Sequence, residues 1–326
     1  METTKKHNIL ITGGNGFIGS QVALELHRNG HQVTIVDRVN KKQGVPGNII
    51  VRDYLEFFNH TRIQYDTVVH LAADHQVEES VSVPEKFYTN NVVKMKGMLD
   101  RMIELGIKNI IFSSSGSVYG RQGSGALSLK EHMYFDPENA YASTKAAGEM
   151  LIKDYARAYG LKYVNFRYFN AAGADPDCQF GYTQRPATHV LPILCNKILN
   201  GEKFTIFGND YTTLDGTCVR DYVHVADLAN AHQKAIEFLN SGFKNETFNL
   251  GIGAGGVSVK ELVNYASKVV GKEPVIEYAG RRAGDTAKLV ADISKAKQML
   301  DWYPKYNIED IITHSWNWEN KFETVK

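Results

Sequence analysis

In the first half of the chain the apolar residues gather in short, largely unbroken runs over 9–11, 32–36, 49–52, 67–71, 109–113 and 163–168. Strands buried on both faces read this way, because neither side of them meets water. Helical stretches fall between them: from near Phe17 to a stop at Asn29-Gly30, over 84–105 up to Gly106, and over 139–159 up to Gly160. Strands separated by helices call for parallel pairing through right-handed crossovers, so the expected class is α/β with a doubly wound parallel sheet. Ligands of such sheets sit beyond the carboxyl ends of the strands, where Asp37, Asp53, Ala72, Ser115 and Asn170 fall. After Asn170 the rhythm loosens into a Gly-, Asp- and Pro-rich segment, a helix over 190–199 and a strand over 204–207. A smaller second domain is expected from about residue 170, with 219–250 returning to the sheet.

This architecture needs a large core, and 326 residues with 43% hydrophobic content supply one. The 37 basic and 36 acidic side chains leave a formal charge of +1, which favours neither nucleic acid nor an anionic membrane as partner. Cys178, Cys195 and Cys218 lie far apart with no metal-ligand spacing; they read as reduced thiols of a cytoplasmic protein, with no metal. No apolar run approaches the length of a membrane span, and the short polar stretch METTKKHN before the first strand leaves no room for a signal peptide.

The run over 9–11 leads into TGGNGFIGS, where glycines meet the start of a helix. Two frames overlap, Gly14-Gly16-Gly19 as G-x-G-x-x-G and Gly13-Gly16-Gly19 as G-x-x-G-x-x-G. In either frame, backbone N–H groups can approach a pyrophosphate whose charge the helix N-terminus stabilises. Asp37, at the end of the second strand, stands where a carboxylate accepts hydrogen bonds from an adenosine ribose. It would repel a 2′-phosphate, so the expected cofactor is NAD. Arg38 complicates this, since a guanidinium there could instead pair with a phosphate.

Tyr141 and Lys145 are four apart on the helix expected over 139–159, so both side chains can face one way. A free tyrosine is protonated at neutral pH; a neighbouring ammonium favours phenolate, lowers the pKa and makes a usable general base. Ser115, in SSSGSVYG after the strand over 109–113, can supply a hydroxyl to the same reacting oxygen. Surface helices produce Tyr-x-x-x-Lys by chance; the glycine turn and the strand-end serine give this one its weight.

With these motifs the chain resembles the extended short-chain dehydrogenase/reductase family, and within it the UDP-glucose (UDP-galactose) 4-epimerases. TGGNGFIGS and YASTK carry the superfamily, while FRYFNAAGADPD, IFGNDYTTLDGTCVRDYVHVADLA, FNLGIG and RRAGD through LVADISKAK carry the narrower likeness. The resemblance implies a Rossmann NAD-binding domain over 1–169, completed by about 219–250, and a nucleotide-sugar-binding domain over 170–326. It implies reversible oxidation at C4 of a UDP-sugar through a 4-keto intermediate, with Tyr141 as base, Ser115 assisting, and Lys145 tuning the phenol and binding the nicotinamide ribose. The cofactor contacts it implies are Gly13, Gly16, Phe17, Ile18 and Gly19 of the turn, then Asp37, Asp53, Leu71, Ala72, Ala73, Asn91 and Tyr168. Around the UDP portion it implies Asn170, His189, Val190, Phe204, Phe207, Arg220, Arg282 and Asp285. Two guanidinium groups can hold a diphosphate, and the carboxylate can accept from a ribose hydroxyl; a plain buried strand explains 204–207 equally well. It also implies a homodimer paired through the helices over 84–105 and 139–159.

Three positions depart from the family pattern. His75 stands where some members carry a lysine, and His189 where others place an asparagine against the diphosphate. Leu289 occupies the position that in the family often governs whether an N-acetyl group at C2 fits; a bulky aromatic there closes the space, and leucine does not decide it, so UDP-N-acetylhexosamines and UDP-pentoses stay open as alternatives to UDP-glucose and UDP-galactose. His70 and His224 read as structural, having no ligand-spaced partner. A 4,6-dehydratase or decarboxylase needs an acid beside the catalytic hydroxyl, where this chain has Gly116 and Ser117. A non-catalytic NAD-binding scaffold would be expected to lose the Tyr or the Lys, and both are present.

Overall fold

The computed structural model describes residues 6–40, 44–124, 128–242, 245–282 and 285–324. Its centre is a parallel sheet built from β1 (Asn8–Thr12), β2 (Gln32–Asp37), β3 (Asn48–Val51), β4 (Thr67–His70), β5 (Asn109–Ser115) and β6 (Lys162–Tyr168). The strand Glu246–Leu250 is the seventh; it pairs with β6, and the order is β3-β2-β1-β4-β5-β6 followed by this strand. Ile9 and Ile11 enter one core and Leu10 the other, all fully buried. Each contributes about 1.5–3 kcal/mol relative to exposure, and a strand covered on both faces has no place for a polar alternation.

The first face is packed by α1 (Phe17–Arg28) and the helix Val225–Asn240, through residues such as Val22, Leu26, Leu228 and Ile236. The opposite face is covered by α2 (Tyr54–His60), followed along the chain by α3 (Val77–Ser82), α4 (Pro84–Tyr88), α5 (Lys94–Glu104) and α6 (Ala140–Tyr159). There Phe58, Met98, Leu99 and Ile152 close the second core. The helix expected over 84–105 runs through as α4, a π turn, Thr89–Val93, and α5, with helical backbone at both joins. That wider turn places Asn90 and Asn91 against Asp74. Asn91 accepts from the Asp74 N–H through Oδ1 at 2.9 Å and donates through Nδ2 to its carbonyl at 2.9 Å. π turns of this kind are frequent at functional sites.

Beyond β6 the chain builds a smaller unit from the helices Val190–Asn200, Val259–Val270 and Ile308–Thr324 around Leu194, Ile206, Leu262 and Ile312. Short strand pairs tie it together: Asn170–Ala172 lies parallel to Tyr222–His224, and Lys203–Phe207 to Val275–Ala279. This unit stands past the carboxyl ends of β5 and β6, and a cleft of about 510 Å³ is lined by residues from both parts.

Candidate active site

The cofactor end of the cleft is built by the glycine turn. Gly13 has φ +75°, and a Cβ on it would come within 2.8 Å of the Ala72 nitrogen. A Cβ on Gly19 would sit 2.3 Å from the Gly13 carbonyl oxygen. The frame that faces the cleft is Gly13-Gly16-Gly19, with Phe17 and Ile18; Gly14 instead turns toward the Ile35 side chain. α1 starts after Gly16 with no side-chain cap, so its N-terminal dipole and backbone donors serve the cleft. A cradle that a Cβ would fill, under an uncapped helix end, fits a dinucleotide pyrophosphate. Leu71, Ala72, Ala73, Asp37, Asp53 and Tyr168 line the same cleft.

Asp37 accepts from the Asn15 N–H at 3.0 Å and the Val39 N–H at 3.3 Å, which fixes its carboxylate at the tip of β2 with lone pairs to spare. Arg38 is not free for a phosphate in this arrangement: its NH2 lies 3.6 Å from Asp74 Oδ1. Asp53 caps α2, accepting from the Leu55 N–H at 3.0 Å, and pairs with Lys94 at 2.8 Å. Burial works to raise its pKa, but Lys94 and the capping N–H groups outweigh burial and hold it below the usual carboxylate value. Asn91 does not line the cleft; it is buried, bonded to Asp74 and at 3.1 Å to Thr144 Oγ1, and supports the wall from behind.

Tyr141, Lys145 and Ser115 converge. α6 starts cleanly because the Asn139 side chain caps the Ala142 N–H at 2.9 Å, and residues four apart on it share a face. The Lys145 Nζ donates to the Ser113 carbonyl at 2.7 Å and lies 5.8 Å from the centre of the Tyr141 ring. Tyr141 hydrogen-bonds with Ser115. The Ser115 Oγ accepts from Ser117 Oγ at 2.8 Å and the Ser117 N–H at 3.2 Å, leaving its own proton for a neighbour. The electrostatics differ from the sequence expectation. Burial raises the Tyr141 pKa, with the Ser115 hydrogen bond pulling the other way, and burial lowers the Lys145 ammonium to about 7. Spacing foretold the proximity; desolvation, which spacing does not encode, is the largest influence on both groups.

At the other end, Asn170, His189, Arg220, Asp285 and Leu289 line the cleft. Arg220 pairs with Asp285 at 3.1 Å and donates to the Thr286 carbonyl at 2.8 Å, while Leu289 sits opposite Arg220 in a short strand pair. Four expected residues are not brought to the wall. Phe204 is buried in the third core, where Val190 also packs, and the Arg282 guanidinium lies 3.9 Å above the Phe207 ring. His75 does line the cleft, its ring 6.1 Å from that of His189. Burial lowers the pKa of both, His189 to about 4, so neither offers a cation at neutral pH. His70 and His224 are bonded within the protein, to Thr12 Oγ1 at 2.7 Å and from the Ala226 N–H at 3.0 Å. The sequence reading missed Tyr54, Asp74, Tyr182 and Gln184, all on the wall. Tyr182 is carried back by the irregular segment after residue 172, its ring 5.7 Å from that of Phe17.

A pyrophosphate cradle and a phenol within one cleft of a doubly wound sheet define a dinucleotide-dependent enzyme. The chain belongs to the NAD dependent epimerase/dehydratase family, whose model matches residues 9–251. The UDP-glucose 4-epimerase of Halalkalibacterium halodurans is 41% identical over 322 residues, covering 96% of this chain and 96% of that one. A crystal structure of the UDP-glucose-4-epimerase of Stenotrophomonas maltophila, with bound NAD and formylated UDP-arabinopyranose, is similar with a TM-score of 0.91. It is 30% identical, covering 98% of this chain and 100% of that one. The Brucella ovis UDP-glucose 4-epimerase in complex with NAD has a TM-score of 0.88 at 36% identity, over 96% of this chain and 98% of that one.

Proposed function

We propose that this chain is an NAD-dependent 4-epimerase of UDP-sugars, acting first on UDP-glucose and UDP-galactose. The observation that carries the reading is the meeting of Tyr141, Ser115 and Lys145 in the cleft that also holds the glycine cradle. It is supported by the curated relatives, which are UDP-glucose 4-epimerases, and by a similar structure that binds both NAD and a UDP-sugar. NAD, held by Gly13, Gly16, Asp37 and Lys145, supplies a hydride acceptor and donor. Tyr141, as phenolate once the positive charge of bound NAD offsets the burial that raises its pKa, would take the proton of the sugar 4-hydroxyl, and Ser115 Oγ would hydrogen-bond the same oxygen. The 4-keto sugar would turn over in the cleft, and Tyr141 would return the proton to the same oxygen when the other face is reduced. Arg220 and His189 meet the diphosphate, and Asn170 and Asp285 the remainder of the UDP. The test is incubation of purified protein with a panel of UDP-hexoses, UDP-N-acetylhexosamines and UDP-pentoses without added NAD. Interconversion of UDP-glucose and UDP-galactose is expected, and absence of any epimer overturns the reading.

Leu289→Tyr should lower turnover of any UDP-N-acetylhexosamine substrate at least about tenfold relative to UDP-galactose, because a ring there fills space a C2 substituent needs. Steady-state kinetics on both substrates check this; equal losses would remove Leu289 from the C2 side.

We also infer a cytoplasmic homodimer. Val81, Val93 and Met150 are 64%, 64% and 51% exposed on neighbouring segments around α3 to α6, an apolar surface suited to a second copy. Light scattering should give twice the chain mass for the wild type and the chain mass for a Val81→Asp, Val93→Asp variant. A monomeric wild type would contradict this pairing.

A further inference from the structure

At the adenosine end of the cleft three charged groups stand together: Asp37, Arg38 and Asp74. Asp37 accounts for exclusion of a 2′-phosphate, but Arg38, next to it, is the kind of group that attracts one. An ion pair with a guanidinium 59% exposed is ordinarily too weak to immobilise it. Here the partner is held first. The Asp74 backbone is clamped on both sides by the Asn91 amide at 2.9 Å, and the Asn90 amide donates to its Oδ2. Tyr54 donates to the Asn90 carbonyl at 2.7 Å and fixes that segment in turn. The carboxylate, 13% exposed, therefore presents Oδ1 to Arg38 without paying side-chain entropy again. The π turn that widens the helix between α4 and α5 is what supplies both asparagines.

We propose that Asp74 is a second cofactor-selecting residue, one that engages Arg38 and keeps its guanidinium from serving a 2′-phosphate. This rests on the NAD-dependent reading above. With Asp74 in place the trio carries a net negative charge beside the ribose. Without it the trio is neutral and contains a free phosphate-binding fork. Arg38 is thus latent, and its effect on selectivity is exposed only when Asp74 is lost.

The test is equilibrium exchange of purified protein against equal concentrations of NAD and NADP, followed by denaturation and chromatography of the released dinucleotides. Asp74→Asn should raise the NADP-to-NAD ratio about fivefold. Asp74→Glu, which keeps the charge, should stay near the wild-type ratio. Arg38→Ala alone should change it less than about twofold, and Arg38→Ala combined with Asp74→Asn should restore the wild-type ratio. An unchanged ratio in Asp74→Asn overturns the proposal, as does a raised ratio that survives loss of Arg38. Retention of neither dinucleotide by the wild type would remove the cofactor reading and this inference with it; retention of NAD with an unmoved ratio removes the inference alone.

Discussion

Tyr141→Phe should lower turnover of UDP-galactose by about 10³-fold while the protein still binds NAD. The substitution removes one hydroxyl and keeps the ring, so packing against the cleft is preserved. On the proposed mechanism what is lost is the group that exchanges the 4-hydroxyl proton, and a positioned general base supplies roughly 10²–10⁴-fold. Ser115 cannot replace it, because its oxygen already accepts from the Ser117 Oγ and N–H, at 2.8 and 3.2 Å, and its proton is the one it donates. The check is kcat for UDP-galactose with NAD content measured on the same sample. Retained NAD with turnover within about threefold of wild type would show that another group handles the proton.

Lys145→Met should lower turnover by about 10²-fold and shift the acidic limb of the pH–rate profile upward. A unit charge ~6 Å from the phenol ring, at an effective dielectric of about 20, is worth at most about 3 kcal/mol, or ~2 pKa units, and less as the ammonium loses its proton near pH 7. The ammonium stands 5.8 Å from the Tyr141 ring centre, so its removal makes the phenolate harder to form and moves the limb to higher pH. The lysine also leaves a mark on stability. Its folded pKa of about 7 lies below its value of 10.5 in the unfolded chain, so the unfolded state binds more protons between these values. Stability rises with pH across that window, and Lys145→Met should flatten the rise in denaturant melts. A limb that stays in place would reduce Lys145 to a brace for the Ser113 carbonyl.

How much of this was legible in the sequence depends on how local each cause is. The central sheet was readable because strands covered on both faces cannot hide their composition: Ile9, Leu10 and Ile11 are all fully buried. The start of α6 was readable because Asn139 caps it through its own side chain. α2 went unseen although Asp53, followed three residues later by Glu56, is a start signal; the helix is only 7 residues long and has no apolar period to draw attention. The π turn could not be foreseen, because what holds Asn90 and Asn91 there is Asp74, 16 and 17 residues earlier. At Phe204 the sequence left a uracil contact and a plain buried strand open together, and the strand's period of two favours the second: Phe204 shares a face with Ile206, and both are buried in the smaller unit's core. Arg282 over Phe207 is a contact across 75 positions that no pattern announces.

The site was legible as a set of spacings and illegible as a set of energies. Four residues along a helix bring Tyr141 and Lys145 together whatever surrounds them. Whether the amine or the loss of water governs the phenol depends on how deeply both are covered, and burial raises the one pKa and lowers the other. Arg38 had two readings in the sequence, and the choice between them lay in a carboxylate 36 residues away.

The most direct measurement is the fate of an isotope at the reacting carbon. UDP-galactose carrying deuterium at C4, incubated with the purified protein and no added dinucleotide, should yield UDP-glucose that keeps the label at C4, with none appearing in the solvent. Label lost to water would mean that the C4 hydrogen leaves as a proton, which contradicts hydride removal and return within one cleft.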